Sequence, residues 1–169
     1  MQEESLAFEG VLDVGILVPC CFDNPLRQES VEFLKDSLTT RTNVLVPVTT
    51  VIGAYHIARD YLKVSRESAK TVFSNLLRTG SPSLYSEVSA DLASSALDYA
   101  VTYEVESWDG YLVAIARKFN AKVVYSMDEE LGDNLKKKGE PGLPVVVNPF
   151  TAKKVREYHK FLEKKIRQK

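Results

Sequence analysis

Short apolar runs alternate with longer amphipathic stretches along most of this chain, and that alternation constrains the fold more than any other feature. The runs lie at 11–18 (VLDVGILV), 43–48 (NVLVPV), 122–126 (KVVYS) and 143–147 (LPVVV), with a shorter candidate at 83–88. Four of them are apolar at successive positions rather than at every second one, so both faces of the sheet need cover. Strands separated by helices build βαβ units and a parallel sheet. The expectation is therefore a three-layer α/β/α sandwich around a parallel sheet of four to five strands.

The intervening stretches carry helix signals. Pro25 opens one with Val31, Phe33, Leu34 and Leu38 as apolar positions. Thr49 or Thr50 is placed to cap a second that runs to about Leu62, and Ser65 with Glu67 starts a third that ends near Gly80. Periodicity returns over 90–103. Ser107 reads as the N-cap of a helix whose Trp108, Tyr111, Leu112, Ile115 and Phe119 share one face, which makes Trp108 a core residue. Residues 128–138 form a further helix closed by Gly139, and 151–169 form a basic amphipathic helix with Val155, Tyr158, Leu162 and Ile166 as its buried stripe.

A length of 169 residues suits one domain, 1–169, with 44% hydrophobic and 27% charged residues, the balance of an ordinary globular protein. No apolar run approaches the ~18 residues of a membrane span. The first residues carry Glu3 and Glu4 where a secretion signal would carry Lys or Arg, so the expected location is cytoplasmic. Cys20 and Cys21 are adjacent and read as two buried thiols rather than a disulfide or a metal knuckle. Net charge is −1, yet residues 1–24 hold only acids while the tail is rich in Lys and Arg, which permits a local phosphate-binding face.

In parallel sheets, ligands bind beyond the carboxyl ends of the strands. Three acids stand there. Asp13 interrupts an apolar run, so the first strand is expected to stop at it. Asp128 follows KVVYS, and Asp109 sits in the first turn of the helix that leads into that strand. Each has a duller reading: Asp109 complements a helix dipole, and Asp128 before Glu129 and Glu130 is an ordinary acidic helix start. Together, carboxylates are the hard donors that Mg²⁺ and Mn²⁺ prefer, and a cation relieves their mutual repulsion.

The succession LD-V-G-I-L, VPVTTVIGAYHIA, SWDGYLVAIA and VVYSMDEEL resembles the PIN domain family, which includes VapC-type toxins and many ribonucleases. The likeness runs from about Val11 to Asn148. It implies Asp13, Asp109 and Asp128 as metal ligands and catalytic carboxylates, with Ser126 at the hydroxyl position that orders the site. It departs at two places. The Glu expected six residues after Pro47 is Gly53, and the polar pair expected after the first Asp is Val14 and Gly15. Glu106, three residues before Asp109, is a candidate supporting acid. Gly53 itself reads as a place of close packing.

The leading expectation is a metal-dependent endoribonuclease with Mg²⁺ or Mn²⁺ as cofactor and RNA as substrate. Its alternative is a catalytically degenerate PIN-like module that binds RNA or a protein. A nucleotide-binding α/β domain is disfavoured, because neither GxGxxG nor GxxxxGK follows the first strand. Toxin-type resemblance implies a small antitoxin partner and homodimerisation. The tail, Lys136, Lys137 and Lys138, and Arg117 with Lys118 are basic clusters that would grip a phosphate backbone if they surrounded the carboxylate edge. Trp108 would stack a base if it were exposed. His56 and His159 are isolated and are not read as ligands.

Overall fold

The computed structural model describes residues 8–39 and 42–167. Glu3, Glu4 and Lys169, which enter the charge asymmetry noted above, lie outside the described residues. Five strands alternate with helices in chain order. They are β1 (Gly10–Leu12), α1 (Val14–Leu17), α2 (Arg27–Ser37), β2 (Val44–Pro47), α3 (Val48–His56), α4 (Arg66–Arg78) and β3 (Leu84–Tyr85). There follow α5 (Ala90–Tyr103), α6 (Ser107–Lys118), β4 (Val123–Tyr125), α7 (Glu129–Lys138), β5 (Val145–Val147) and α8 (Ala152–Arg167). A short 3-10 turn follows α1, and a five-residue π-helical turn extends α3.

All strand pairs are parallel, in the order β3-β2-β1-β4-β5. The sandwich is thus a three-layer α/β/α fold with the five-stranded sheet in the middle. Successive strand residues point to opposite faces, and the core divides accordingly. Leu12, Val44 and Val46 pack with Ile16, Leu17 and Phe73 on one side. Val11, Leu45 and Val124 pack with Leu112, Ile115 and Leu131 on the other. Elements α1 to α4 serve the first face and α5 to α7 the second. The chain changes face where it returns from β3 to β4, which makes the β1/β4 boundary the switch point of the sheet.

Several local expectations are corrected. The α3 helix begins at Val48, with Pro47 as its N-cap and no side-chain capping bond, so neither Thr49 nor Thr50 is the cap. Thr50 instead donates its hydroxyl back to the Pro47 carbonyl, 2.6 Å away. The α6 N-cap is Glu106, which places Ser107 one residue inside the helix. Trp108 is 56% exposed while Tyr111, Leu112 and Ile115 are buried; position 108 lies in the first turn of α6. The β5 strand is an edge strand with Val145 exposed, so it is not covered on both faces.

Helix α8 lies over the first face. Tyr158 is buried against Phe22, Phe161 also reaches Phe22, and Lys154 pairs with Glu29 at 3.2 Å. Leu162 joins that core, but Ile166 is exposed and falls off the predicted stripe. Cys20 and Cys21 are buried and free; burial pushes their thiols up to about 12 and about 11, so both stay protonated. Among the described residues no helix is long and apolar enough to cross a membrane.

Candidate metal centre

Parallel register brings the first two functional positions together. Leu12 of β1 stands opposite Tyr125 of β4, and the Asp13 N–H donates to the Tyr125 carbonyl at 3.0 Å. The residues one step beyond, Asp13 and Ser126, are therefore neighbours past the ends of two adjacent strands. The Ser126 hydroxyl donates to Asp13 Oδ2 at 2.6 Å and accepts the Asp128 N–H at 3.0 Å. One buried hydroxyl thus ties the first and last acids into a single loop system.

Each acid is anchored at a helix start. Asp13 is the N-cap of α1, its Oδ1 accepting from the Val14 N–H at 2.6 Å. Asp128 is the N-cap of α7, its Oδ1 accepting from the N–H groups of Glu130 at 2.9 Å and Leu131 at 3.1 Å. Asp109 occupies the third position of α6 and accepts from the N–H of the N-cap residue Glu106, one half of a capping box. A helix that connects parallel strands runs antiparallel to them, so its N-terminus sits at their carboxyl edge. The fold therefore delivers three helix N-termini, with their partial positive charge, to one place.

The electrostatics follow from that crowding. Asp13 is 8% exposed, and burial raises its carboxyl above the usual range against the lowering effect of Ser126 and the Val14 N–H; Asp128 raises it further. Asp109, half-buried, is pushed up to about 7, first by burial and then by the charges of Asp13 and Asp128. Glu106 acts on it in the same direction. None of Asp13, Asp109 and Asp128 enters an ion pair among the described residues. A cleft of about 310 Å³ lies between α6 and α7, with Glu106, Asp109, Asp128 and Glu130 on its walls.

Among the described residues no group of three or more Asp, Glu, His or Cys side chains is placed to hold a metal ion. The carboxylates share one field around an open cleft instead. That donor set suits Mg²⁺ or Mn²⁺, which take oxygen ligands and, for Mg²⁺, retain several waters; it lacks the nitrogen and sulfur donors that favour zinc. Asp109 and Asp128 both border the same cleft.

Other predicted features separate from this centre. Arg117 and Lys118 lie eight and nine residues along α6 from Asp109, roughly 12 to 14 Å away at 1.5 Å per residue. Arg117 bonds the Tyr103 hydroxyl and lies over Tyr99, and Lys118 pairs with Glu87 at 2.6 Å, so they do not surround the carboxylate edge. Lys136 does border Asp128, across a second cleft that also holds Ser126 and Asn148. His56 pairs with Asp60 at 2.7 Å and His159 rests beside Tyr158. Gly53 is not a close-packing site: a Cβ there would meet only Val14 Cγ2, at 3.5 Å. Glu130 and Asn134 also line the cleft; they lie four residues apart on α7 and so share one of its faces.

Acidic residues gathered at the switch point of an all-parallel sheet define a class of cation-dependent α/β enzyme sites. The family model of the PIN domain matches residues 10–136, and the chain belongs to that family. Its members are in general nucleases that use Mg²⁺ or Mn²⁺, which sets a metal-dependent nuclease role at the level of the family. No curated protein matches the chain.

Proposed function

We propose that this protein is a metal-dependent endoribonuclease in which Asp13, Asp109 and Asp128 hold a Mg²⁺ or Mn²⁺ ion. The observation that carries the reading is the shared field of these acids: Asp109 is raised to about 7 with both Asp13 and Asp128 among the causes, and among the described residues no ion pair neutralises any of the three. When bound, the ion supplies water activation at neutral pH and charge stabilisation on the phosphodiester. The chain's own residues do the rest. Ser126 fixes the rotamer of Asp13 and the entry of the chain into α7, so the two ligands are set by one hydroxyl. Glu106 supports Asp109 through its backbone N–H. Lys136 and the exposed Trp108 offer a phosphate contact and a stacking face on either side of the acids.

The test is cleavage of single-stranded and structured RNA with and without Mn²⁺, with Asp128→Asn as control. Metal-stimulated cleavage that Asp128→Asn abolishes supports the reading; no cleavage under any metal overturns it. A degenerate RNA- or protein-binding module is the second reading, favoured by Gly53 and Gly15, where the family carries polar groups. It predicts RNA binding with no gain in Tm from millimolar Mn²⁺.

With this reading go a single domain over 1–169, supported by the packing of α8 on Phe22, and a cytoplasmic location. RNA is the partner that it requires. A small antitoxin-like protein and a second copy of the chain are the further partners that toxin-type members suggest, checked by co-purification and by light scattering.

A further inference from the structure

Resting on the reading of RNA as substrate, we propose that the outward side of α8 is a docking surface for its phosphate backbone, formed by a stripe of Lys153, Arg156, Lys160, Lys164 and Arg167. This helix lies beyond residues 10–136, where the family model matches. At 3.6 residues per turn these cations fall within about 80° of arc, and they run about 21 Å along the axis. All are exposed. The opposite side of α8 docks onto the fold: Tyr158 and Phe161 meet Phe22, and Leu162 joins the core. The other two Lys residues of the helix serve that docking, Lys154 through Glu29 and Lys165 over the Phe22 ring.

Helix stability does not call for such a stripe. Each member has a like charge three or four residues along, which destabilises a helix. The first turn of α8 holds Lys153 and no acid, the reverse of what the helix dipole favours. Glu157 and Glu163 flank the stripe, yet among the described residues none of its cations enters an ion pair. Other basic groups differ on this point: Lys118 pairs with Glu87, and Lys138 with Glu104. The stripe also begins near the acids. Asn148 borders a cleft with Asp128 and Lys136, and Lys153 follows five residues later, so the Cα atoms of 148 and 153 are at most about 18 Å apart. An anionic bilayer is the other polyanion that a basic amphipathic helix meets, but binding there buries the apolar side in lipid. In α8 that side is already taken by Phe22 and the core, and RNA needs only the outward one.

The test is anisotropy of a fluorescein-labelled oligouridylate with the full chain, in chelator so that no cleavage intervenes, over a salt series. Lys160→Gln with Lys164→Gln should lower the slope of log K against log[salt] by about 1.4, at 0.7 per contact on a single strand, which over one decade of salt is about 25-fold in affinity. Lys160→Arg with Lys164→Arg should bind as the parent does. Lys35→Gln with Lys70→Gln removes the same charge from exposed positions on α2 and α4 and should cost less than about twofold, since distant charges are screened. Parent-like binding by Lys160→Gln with Lys164→Gln, or equal losses in the two Gln pairs, overturns the stripe. So does binding to phosphatidylserine vesicles that the 160/164 Gln pair abolishes while RNA binding persists. No RNA binding by the parent overturns it too, and RNA cleavage by the same chain in Mn²⁺ then shows whether the nuclease reading stands without it.

Discussion

Replacing Asp109 by Asn should stabilise the metal-free protein at neutral pH, although it removes a proposed ligand. The carboxyl of Asp109 rises from 3.8 to about 7 on folding. Between those values the folded chain holds a proton that the unfolded chain has released. Stability contributed by this group is therefore complete below pH ~4 and is lost as pH rises through about 7. At 1.36 kcal/mol per pKa unit, the full shift corresponds to about 4 kcal/mol. Asp109 is only half-buried, and solvent screening halves that to about 2 kcal/mol. For a chain of this length the difference is about 4–8 °C in Tm. Asn keeps an oxygen to accept the Glu106 N–H, so the capping box survives. Thermal melts in chelator at pH 4, 5.5 and 7.5 should show the variant level with the parent at the lowest pH and more stable at the highest. Saturating Mn²⁺ should reverse the order, because only the parent gains by mass action. Parallel stability curves for the two proteins across this range would refute the idea that the three aspartates share one field.

Ser126→Ala leaves the buried Asp13 carboxyl without its side-chain partner and should cost about 1–3 kcal/mol, read from denaturant midpoints, along with weaker Mn²⁺ binding. Gly110→Ala drives a methyl into the Ala96 carbonyl and to 2.9 Å from the Ala100 nitrogen, so the α5–α6 pair must separate; a loss of about 2 kcal/mol or more in a chemical melt is expected. Trp108 is the single tryptophan and is exposed one residue from Asp109, so paramagnetic Mn²⁺ should quench its fluorescence in the parent and not in Asp128→Asn. Trp108→Phe should leave Tm within about 2 °C of the parent, as exposed positions away from the core do, while weakening single-stranded RNA binding measured by anisotropy.

Much of the architecture was legible because strands covered on both faces carry continuous apolar runs. Gly10–Leu12, Val44–Pro47 and Val123–Tyr125 fall inside the runs that predict them. Asp13 ends the first strand because a carboxylate cannot stay in a buried ladder and finds a helix N-terminus one residue on. Periodicity failed where position along an axis matters more than angle around it. Trp108 is on the same helical face as Tyr111 and Ile115, but it sits in the first turn and is exposed, and no period encodes how far cover extends along a helix. Capping was misjudged at 49, 50 and 107 because hydroxyl residues cap only where the preceding backbone is extended at their own position, and in both cases the extended residue came earlier, at Pro47 and Glu106. The three candidate acids were legible as residues near the carboxyl edge of the sheet. The cleft wall formed by Glu130 and Asn134 was not, since its existence depends on how α6 and α7 lean together.

Three mutually repelling acids stand close together because each is held by peptide N–H groups at a helix start. Those donors lower the cost of each charge without neutralising it, unlike a Lys or Arg, which would occupy the space an ion needs. The arrangement explains why burial and mutual repulsion still raise Asp13 and Asp109 despite their hydrogen bonds: dipoles offset part of the field and leave a surplus of negative potential. In the proposed site, that surplus is what attracts a cation. If the proposed site holds, folding and ligand placement are the same event, because the bonds that start α1, α6 and α7 also hold Asp13, Asp109 and Asp128 at the carboxyl edge of the sheet.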